Sequence, residues 1–256
     1  MRGPMRFRPG VDPSALDDAS AGKGGSMGHI LTVATSKGGG GKTALTTLLA
    51  ACLAPRVRVA VVDADRNATF AHWHRYTYEG GGLTCHEEIR DVEVVDLLQS
   101  LAEQADVVFA DTAGFENQTS AMAMATSDHV LIPCMADRGS VNEAIKTAKQ
   151  ALALGKAARR QIPFTLVPMA WNPRGLAERA ALEDLAVAEA TLSVELPVVR
   201  QHISQSAEIR KMSFSGRVPL SGGVGLEVGR LVEELAERGA LPATAAAAPS
   251  SARAQA

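Results

Sequence analysis

The stretch ILTVATSKGGGGKTALTTLLAACL, residues 30–53, decides the fold. An apolar run at 30–34 predicts a buried strand, four glycines predict a tight turn, and the small and aliphatic residues that follow predict a helix. Strand, glycine-rich turn and helix are the setting of a phosphate-binding loop, because the loop amides and the helix N-terminus both attract an anion. A glycine linker that happens to contain lysines is the alternative, but a linker does not require these flanks.

The loop also carries the side chains that phosphate binding needs. Gly38, Gly39, Gly40 and Gly41 let backbone N–H groups converge on phosphate oxygens, while Lys42 supplies positive charge and Thr43 can ligate Mg²⁺. Two residues depart from the general pattern of such loops. Ser36 stands where the first glycine is usual, and a second lysine, Lys37, follows it directly.

Acidic residues follow two later apolar runs. Residues 59–62 end in Asp63-Ala64-Asp65, and residues 107–110 end in Asp111. An aspartate just beyond a buried strand is held rigidly at the edge of the sheet, as the positioning of Mg²⁺ or its waters requires. Each run alone is also what an ordinary strand ending in a turn looks like. Together with the upstream loop, in this order, they predict an ATP–Mg²⁺ site.

Short apolar runs alternate with helical patterns along the rest of the chain. Strands are predicted at 30–34, 57–62, 107–110, 129–133, 164–168 and 196–199. Helices are predicted at 42–53, 67–78, 92–104, 120–127, 140–157, 175–192, 205–212 and 226–238. Continuously apolar strands separated by helices predict one doubly wound α/β domain, with a mainly parallel sheet, helices on both faces and the ligand at the carboxyl ends of the strands.

Composition limits the remaining possibilities. The 256 residues suit one large α/β domain, and a net charge of −2 means that any nucleic-acid contact must use a local basic patch. Three scattered cysteines predict a reducing compartment without disulfides or a zinc site, and no apolar run is long enough to span a membrane. A cytoplasmic protein is expected.

The two ends of the chain differ from the middle. Residues 1–27 are rich in Gly, Pro, Ser and Asp without a hydrophobic period, and residues 241–256 are rich in Ala and Pro. Both segments are predicted to be disordered, with a single folded domain at 28–240. Met27, just before the first strand, is a candidate start.

The second lysine gives the loop a more specific resemblance. A loop of the form KGGxGK[ST] resembles the deviant Walker A motif of the ParA/MinD ATPases, which are P-loop NTPases. The resemblance extends to the acidic segments 63–65 and 111–114 and to the C-terminal segment from residue 196, so it covers nearly all of the folded unit. Within the family the chain looks closest to small ParA-like plasmid proteins, one of which is the T-DNA-processing ATPase of tumour-inducing plasmids.

The resemblance implies roles for individual residues. Lys37 would cross a dimer interface to the nucleotide of the other subunit, Lys42 would hold phosphate, and Asp65 would position the attacking water. Thr43, Asp63 and Asp111 would organise Mg²⁺. The nucleotide would contact Lys37, Gly38, Gly39, Gly40, Gly41, Lys42, Thr43, Ala44 and Asn172. For Asn172 a plain turn before Pro173 is an equal alternative.

The resemblance also implies a function and partners. The protein is expected to be a slow ATPase that forms a homodimer on binding ATP, binds DNA non-specifically and segregates or positions it at the nucleoid. A centromere-binding (ParB-like) or relaxase-type partner would stimulate it. Candidate DNA contacts, or else simply solvated charges, are Arg200, Arg210, Lys211 and Arg217.

Two rival functions follow from the same residues. A nucleotide-gated scaffold for DNA transfer with little ATP turnover remains open, because Arg66 stands where many relatives have proline. A membrane-surface ATPase is disfavoured, because glutamates make the last predicted helix acidic rather than basic.

Overall fold

The computed structural model describes residues 27–36, 38–114, 118–172 and 174–246. The strands within these residues are β1 (His29–Val33), β2 (Val59–Ala64), β3 (Leu83–Glu87), β4 (Val107–Thr112), β5 (His129–Cys134), β6 (Phe164–Trp171) and β7 (Ile203–Ser204). They form one sheet of order β3-β2-β4-β1-β5-β6-β7, in which every strand pair is parallel. The phosphate-loop strand β1 is therefore central.

Helices connect the strands and cover both faces of the sheet. They are α1 (Lys42–Leu53), α2 (Thr69–Tyr76), α3 (Asp91–Gln104), α4 (Gln118–Thr126), α5 (Arg138–Ala158), α6 (Leu176–Leu192), α7 (Ala207–Ser215), α8 (Gly222–Glu237) and α9 (Ala243–Ala246). Among the described residues no helix is long and apolar enough to cross a membrane.

Alternate residues of the central strands enter different layers of the core. Leu31 and Val33 of β1 pack in one cluster with Leu45 of α1 and Val228 of α8. Ile30, one residue away, packs in a second cluster with apolar residues of α3. All residues of β2 and β4 are buried. Such strands are buried on both faces, and this confirms the predicted doubly wound α/β fold.

The sequence predicted most element positions and missed two strands. Five predicted strands are confirmed with ends within three residues, and all eight predicted helices are present. The strand predicted at 196–199 is wrong, because only Val198 bridges to Leu166 and Pro197 has no N–H to extend the ladder. The strand next to β6 is instead β7, which is two residues long.

The folded part continues beyond the boundary that the sequence predicted at residue 240. Leu241 and Ala245 are buried in the cluster that also contains residues of α1 and α8. Arg56 donates a hydrogen bond to the carbonyl oxygen of Ala245 at 3.4 Å. Residues 241–246 are therefore folded, although the sequence predicted disorder from residue 241 onward. Of the other residues predicted to be disordered, 1–26 and 247–256 lie outside the described residues, and Met27 is an exposed residue two positions before β1.

Candidate nucleotide-binding site

The glycine loop lies between the end of β1 and the start of α1. Gly39 and Gly41 have φ angles of +76° and +88°, which glycine adopts without steric cost. A methyl group added at Gly38 or Gly39 would meet no atom within 4 Å, whereas at Gly41 it would contact the Met169 side chain at 3.6 Å. The loop therefore packs against β6 at one end and is open to a ligand at the other.

The start of α1 has the properties of an anion site. Its N-cap residue, Gly41, has no side chain, so no side chain caps the first-turn amides of the helix. Lys42 is 7% exposed, and its Nζ donates a hydrogen bond to the carbonyl oxygen of Thr35 at 3.3 Å. Burial lowers the pKa of Lys42, and the negative charges of Asp111 and Asp65 oppose that effect. Uncapped amides and a buried lysine suit a phosphate group.

Asp111 connects the end of β4 to two threonines of α1. It is 1% exposed, it is hydrogen bonded to the side chain of Thr43, and it accepts a hydrogen bond from Thr46 Oγ1 at 3.3 Å. Burial raises the pKa of Asp111 to about 7, and the neighbouring Asp63 carboxylate acts in the same direction. Sequence reasoning missed Thr46. The sequence feature that could have indicated Thr46 is its three-residue spacing from Thr43, which places both side chains on one face of the helix.

Asp63 and Asp65 have different surroundings. The buried Asp63 carboxylate accepts hydrogen bonds from the backbone N–H groups of Asp65 at 3.1 Å and Ala71 at 2.8 Å. Burial raises the pKa of Asp63, and the N–H of Ala71 works against that rise. Asp65 is partly exposed and accepts hydrogen bonds from the backbone and side chain of Asn67 at 2.9 and 3.1 Å. Asp63 thus anchors α2, and its predicted metal role stays a prediction.

The first part of the loop is tied to α5. The hydroxyl of Ser36 donates a hydrogen bond to the carboxylate of Glu143, which also accepts one from Lys146 at 2.7 Å. A methyl group added at Gly114 would lie 3.0 Å from the carbonyl oxygen of Ser36. Sequence reasoning missed Glu143, because the contact joins positions 107 residues apart. The predicted dimer-contacting residue Lys37 lies outside the described residues.

Asn172 lies in an exposed turn after β6. Its side-chain oxygen accepts a hydrogen bond from the N–H of Arg174 at 3.2 Å, and its carbonyl oxygen accepts one from Gly175 at 2.7 Å. Its own N–H donates to Glu178 at 2.8 Å. These contacts are those of the plain turn that the sequence allowed, and an adenine contact by Asn172 stays a prediction.

The four basic residues predicted to contact DNA occupy two places. Arg200 lies 3.6 Å from the carboxylate of Glu234 on α8. Arg210 and Lys211 lie on the exposed side of α7, and Arg217 follows that helix and donates to Glu79 at 2.9 Å. Their contact with DNA stays a prediction.

The site fits a nucleoside triphosphate with Mg²⁺ better than a metal ion alone. Within the described ranges, no group of three or more His, Cys, Asp or Glu side chains is placed to hold a metal. Mg²⁺ is commonly held by one or two protein oxygens together with phosphate oxygens and water. Thr43 and Asp111 would supply the protein oxygens, and the uncapped start of α1 would receive the phosphates.

Comparison with known proteins shows the family of the chain. The family model described as VirC1 protein matches residues 28–173, more than half of the chain. The protein virC1 of Rhizobium rhizogenes is 27% identical over 201 residues, which cover 75% of this chain and 83% of that protein.

Solved structures show the same fold at low identity. The chain resembles an ATP complex of a Cyanothece McdA variant, with a TM-score of 0.68, 18% identity and coverage of 85% of this chain and 98% of that one. It also resembles a putative plasmid partition protein of Borrelia burgdorferi bound to AMPPNP, with a TM-score of 0.65, 15% identity and coverage of 82% and 99%. The fold is that of the ParA/MinD-type P-loop proteins.

Proposed function

The chain belongs to the VirC1 protein family, and from that membership we propose that it is a Mg²⁺-dependent ATPase of the ParA/MinD type that dimerises on binding ATP. The observation that carries this proposal is the open glycine loop at the uncapped start of α1, with the buried Lys42 beside it. The dimer binds DNA non-specifically and segregates or positions it. Because the dimer binds DNA, it is located in the cytoplasm and on the nucleoid.

Each residue of the site has a separate role in phosphoryl transfer. The loop amides and Lys42 hold the phosphates, which fixes the reacting group in place. Thr43 and Asp111 hold Mg²⁺, which when bound neutralises negative charge on the phosphates. Asp65, which directly follows β2 and is more exposed than Asp63, orients the attacking water. The two similar solved structures, which hold ATP and AMPPNP, support the choice of nucleotide.

Lys37 provides the test of the dimer. Lys37→Ala should abolish ATP-dependent dimerisation and lower the rate of ATP hydrolysis at least roughly tenfold, since cationic groups supplied to the γ-phosphate contribute more than that in related reactions. Light scattering behind size exclusion and phosphate release are the measurements. Lys156→Ala, at the exposed end of α5, is the matched control. A Lys37→Ala protein that dimerises and hydrolyses ATP like the parent would contradict the proposal.

A nucleotide-gated scaffold for DNA transfer or positioning is the second candidate. It is favoured by the contacts of Asp65, whose carboxylate is held by Asn67, and by the exposed Arg66 beside it. A scaffold would bind ATP and DNA with little turnover. Phosphate release measured alone, with DNA, and with the product of the neighbouring gene as a centromere-binding or relaxase-type partner separates the two functions.

A further inference from the structure

Helix α7 presents an aromatic side chain beside two cations. Its buried side carries Met212, and Ile209 packs against the same core cluster. On the opposite side Phe214 is 89% exposed. Arg210 and Lys211 precede it by four and three residues, so all three side chains lie on one face of the helix. Arg210, Lys211 and Phe214 are called the α7 face below.

The exposure of this phenylalanine has no explanation within the fold. Phe214 is the most exposed large apolar side chain in the part of the chain that the structure describes. In the same part, neither Arg210 nor Lys211 forms an ion pair with a carboxylate, whereas the nearby Arg217 pairs with Glu79. The α7 face therefore combines an accessible aromatic ring with positive charge that is not neutralised internally.

We propose that the α7 face binds single-stranded nucleic acid. Phe214 stacks on an unpaired base, and Arg210 and Lys211 hold the neighbouring phosphates, which is the combination that single-strand binding uses. Duplex DNA would engage the two cations but not the ring, because its bases are already stacked on one another. Glu208 is also exposed on α7, three residues before Lys211, but among the described residues it forms no ion pair with either cation. The positive charge of Arg210 and Lys211 therefore favours a polyanion as the occupant.

A membrane surface fits the α7 face less well. A helix that lies on a membrane presents several bulky apolar residues along one side. The exposed side of α7 has Phe214 and otherwise small or charged residues, among them Ala207 and Ser215. The proposal rests on the proposed function in one respect, namely that the protein acts on DNA, and it names the form of DNA that this surface takes.

The test compares single and double strands on the full chain. Fluorescence anisotropy is measured with labelled oligothymidine of about 20 nucleotides and with a duplex of equal length, which are long enough for such sites. Phe214→Ala should weaken binding of the single strand at least about fivefold, as loss of one stacked base does, and change duplex binding less than about twofold. Leu176→Ala, at another exposed apolar residue, is the matched control and should change neither. Arg210→Glu with Lys211→Glu should weaken both.

The outcomes separate this proposal from the proposed function. Unchanged single-strand binding by Phe214→Ala, with normal duplex binding, overturns the single-strand proposal and leaves the DNA-binding ATPase in place. Absence of binding to either form by the parent protein overturns both. Retention on vesicles of anionic phospholipid that depends on Phe214, without an effect on single strands, overturns it in favour of a lipid surface.

Discussion

The indole Nε1 of Trp73 donates a hydrogen bond to the backbone carbonyl oxygen of Met212 at 2.9 Å, and so joins α2 to α7. Helix α2 begins directly after the Asp65 loop, and its first turn is held by the Asp63 carboxylate through the N–H of Ala71. A chain of direct contacts therefore leads from the candidate nucleotide site to the buried side of α7, the helix that carries the α7 face on its other side.

Trp73→Phe tests this connection. The smaller ring keeps most of the packing against Phe70 but removes the indole donor, so that the carbonyl of Met212 keeps the hydrogen bond from the N–H of Gly216. Loss of one hydrogen bond should cost about 1 kcal/mol of unfolding free energy. For a chain of this size that lowers Tm by about 2–4 °C. We also expect ATP to change single-strand affinity less than in the parent, as measured by anisotropy with and without nucleotide.

Trp171→Phe is the control for that experiment. Trp171 donates a similar hydrogen bond to the carbonyl oxygen of Cys134 at 2.8 Å, in a core cluster that contains neither α2 nor α7. It should lower Tm by a similar amount and leave the effect of ATP unchanged. Equal responses of the two variants to ATP would show that the contact between α2 and α7 carries no coupling.

The contact between Ser36 and Glu143 predicts a second effect, on nucleotide affinity. Without it, the first part of the loop must be ordered when ATP binds, so Ser36→Ala should weaken binding of a non-hydrolysable ATP analogue about tenfold, the value of one hydrogen bond to a charged group. Titration calorimetry gives the measurement. Lys146→Ala removes a different partner of the Glu143 carboxylate and should bind the analogue like the parent. Parental affinity in Ser36→Ala would show that the contact does not order the loop.

Features that depend on neighbouring residues were predicted from the sequence, whereas features that depend on distant residues were missed. The bounds of α1 were predicted to the residue, because the glycine run and the apolar helix are adjacent in sequence. Strand β3 was missed because Leu83 is its only buried residue, as suits an edge strand with a polar sequence. Thr46 and Glu143 were missed because their contacts join distant segments, and only the folded sheet brings those segments together.

His129 predicts a dependence of stability on pH. It is 5% exposed, its Nε2 lies 2.9 Å from the hydroxyl of Thr165, and burial lowers the pKa of His129 from 6.5 to about 4. Between these values the unfolded chain binds more protons than the folded one, so the free energy of unfolding falls as the pH falls through this window.

A variant without the titrating group isolates this effect. His129→Gln keeps a polar partner for Thr165, and its loss of stability between about pH 7 and pH 5 should be smaller than the parent's by about 2 kcal/mol. Urea unfolding at several pH values measures the difference. Parallel profiles for the two proteins would show that His129 is not the group responsible.

Substitutions of Asp63, at the end of β2, and of Asp65, directly after it, should affect stability and ATP hydrolysis differently. Asp63→Ala leaves the buried N–H groups of Asp65 and Ala71 without their acceptor, so it should lower the unfolding free energy by about 2 kcal/mol. Asp65→Ala loses hydrogen bonds to Asn67 in a partly exposed turn and a charge interaction with Lys42, and should cost less than about 1 kcal/mol.

The rate of ATP hydrolysis should be lowered more by Asp65→Ala than by Asp63→Ala when both variants are compared in the folded state. At a temperature where both variants are folded, Asp65→Ala should bind ATP like the parent but release phosphate at least roughly tenfold more slowly, because the attacking water is no longer oriented. Asp96→Ala, on the exposed side of α3, is the control for loss of an acidic side chain. If Asp65→Ala hydrolysed ATP at the parental rate while Asp63→Ala did not, the water-positioning role would belong to Asp63, and its contacts with α2 would then be part of catalysis.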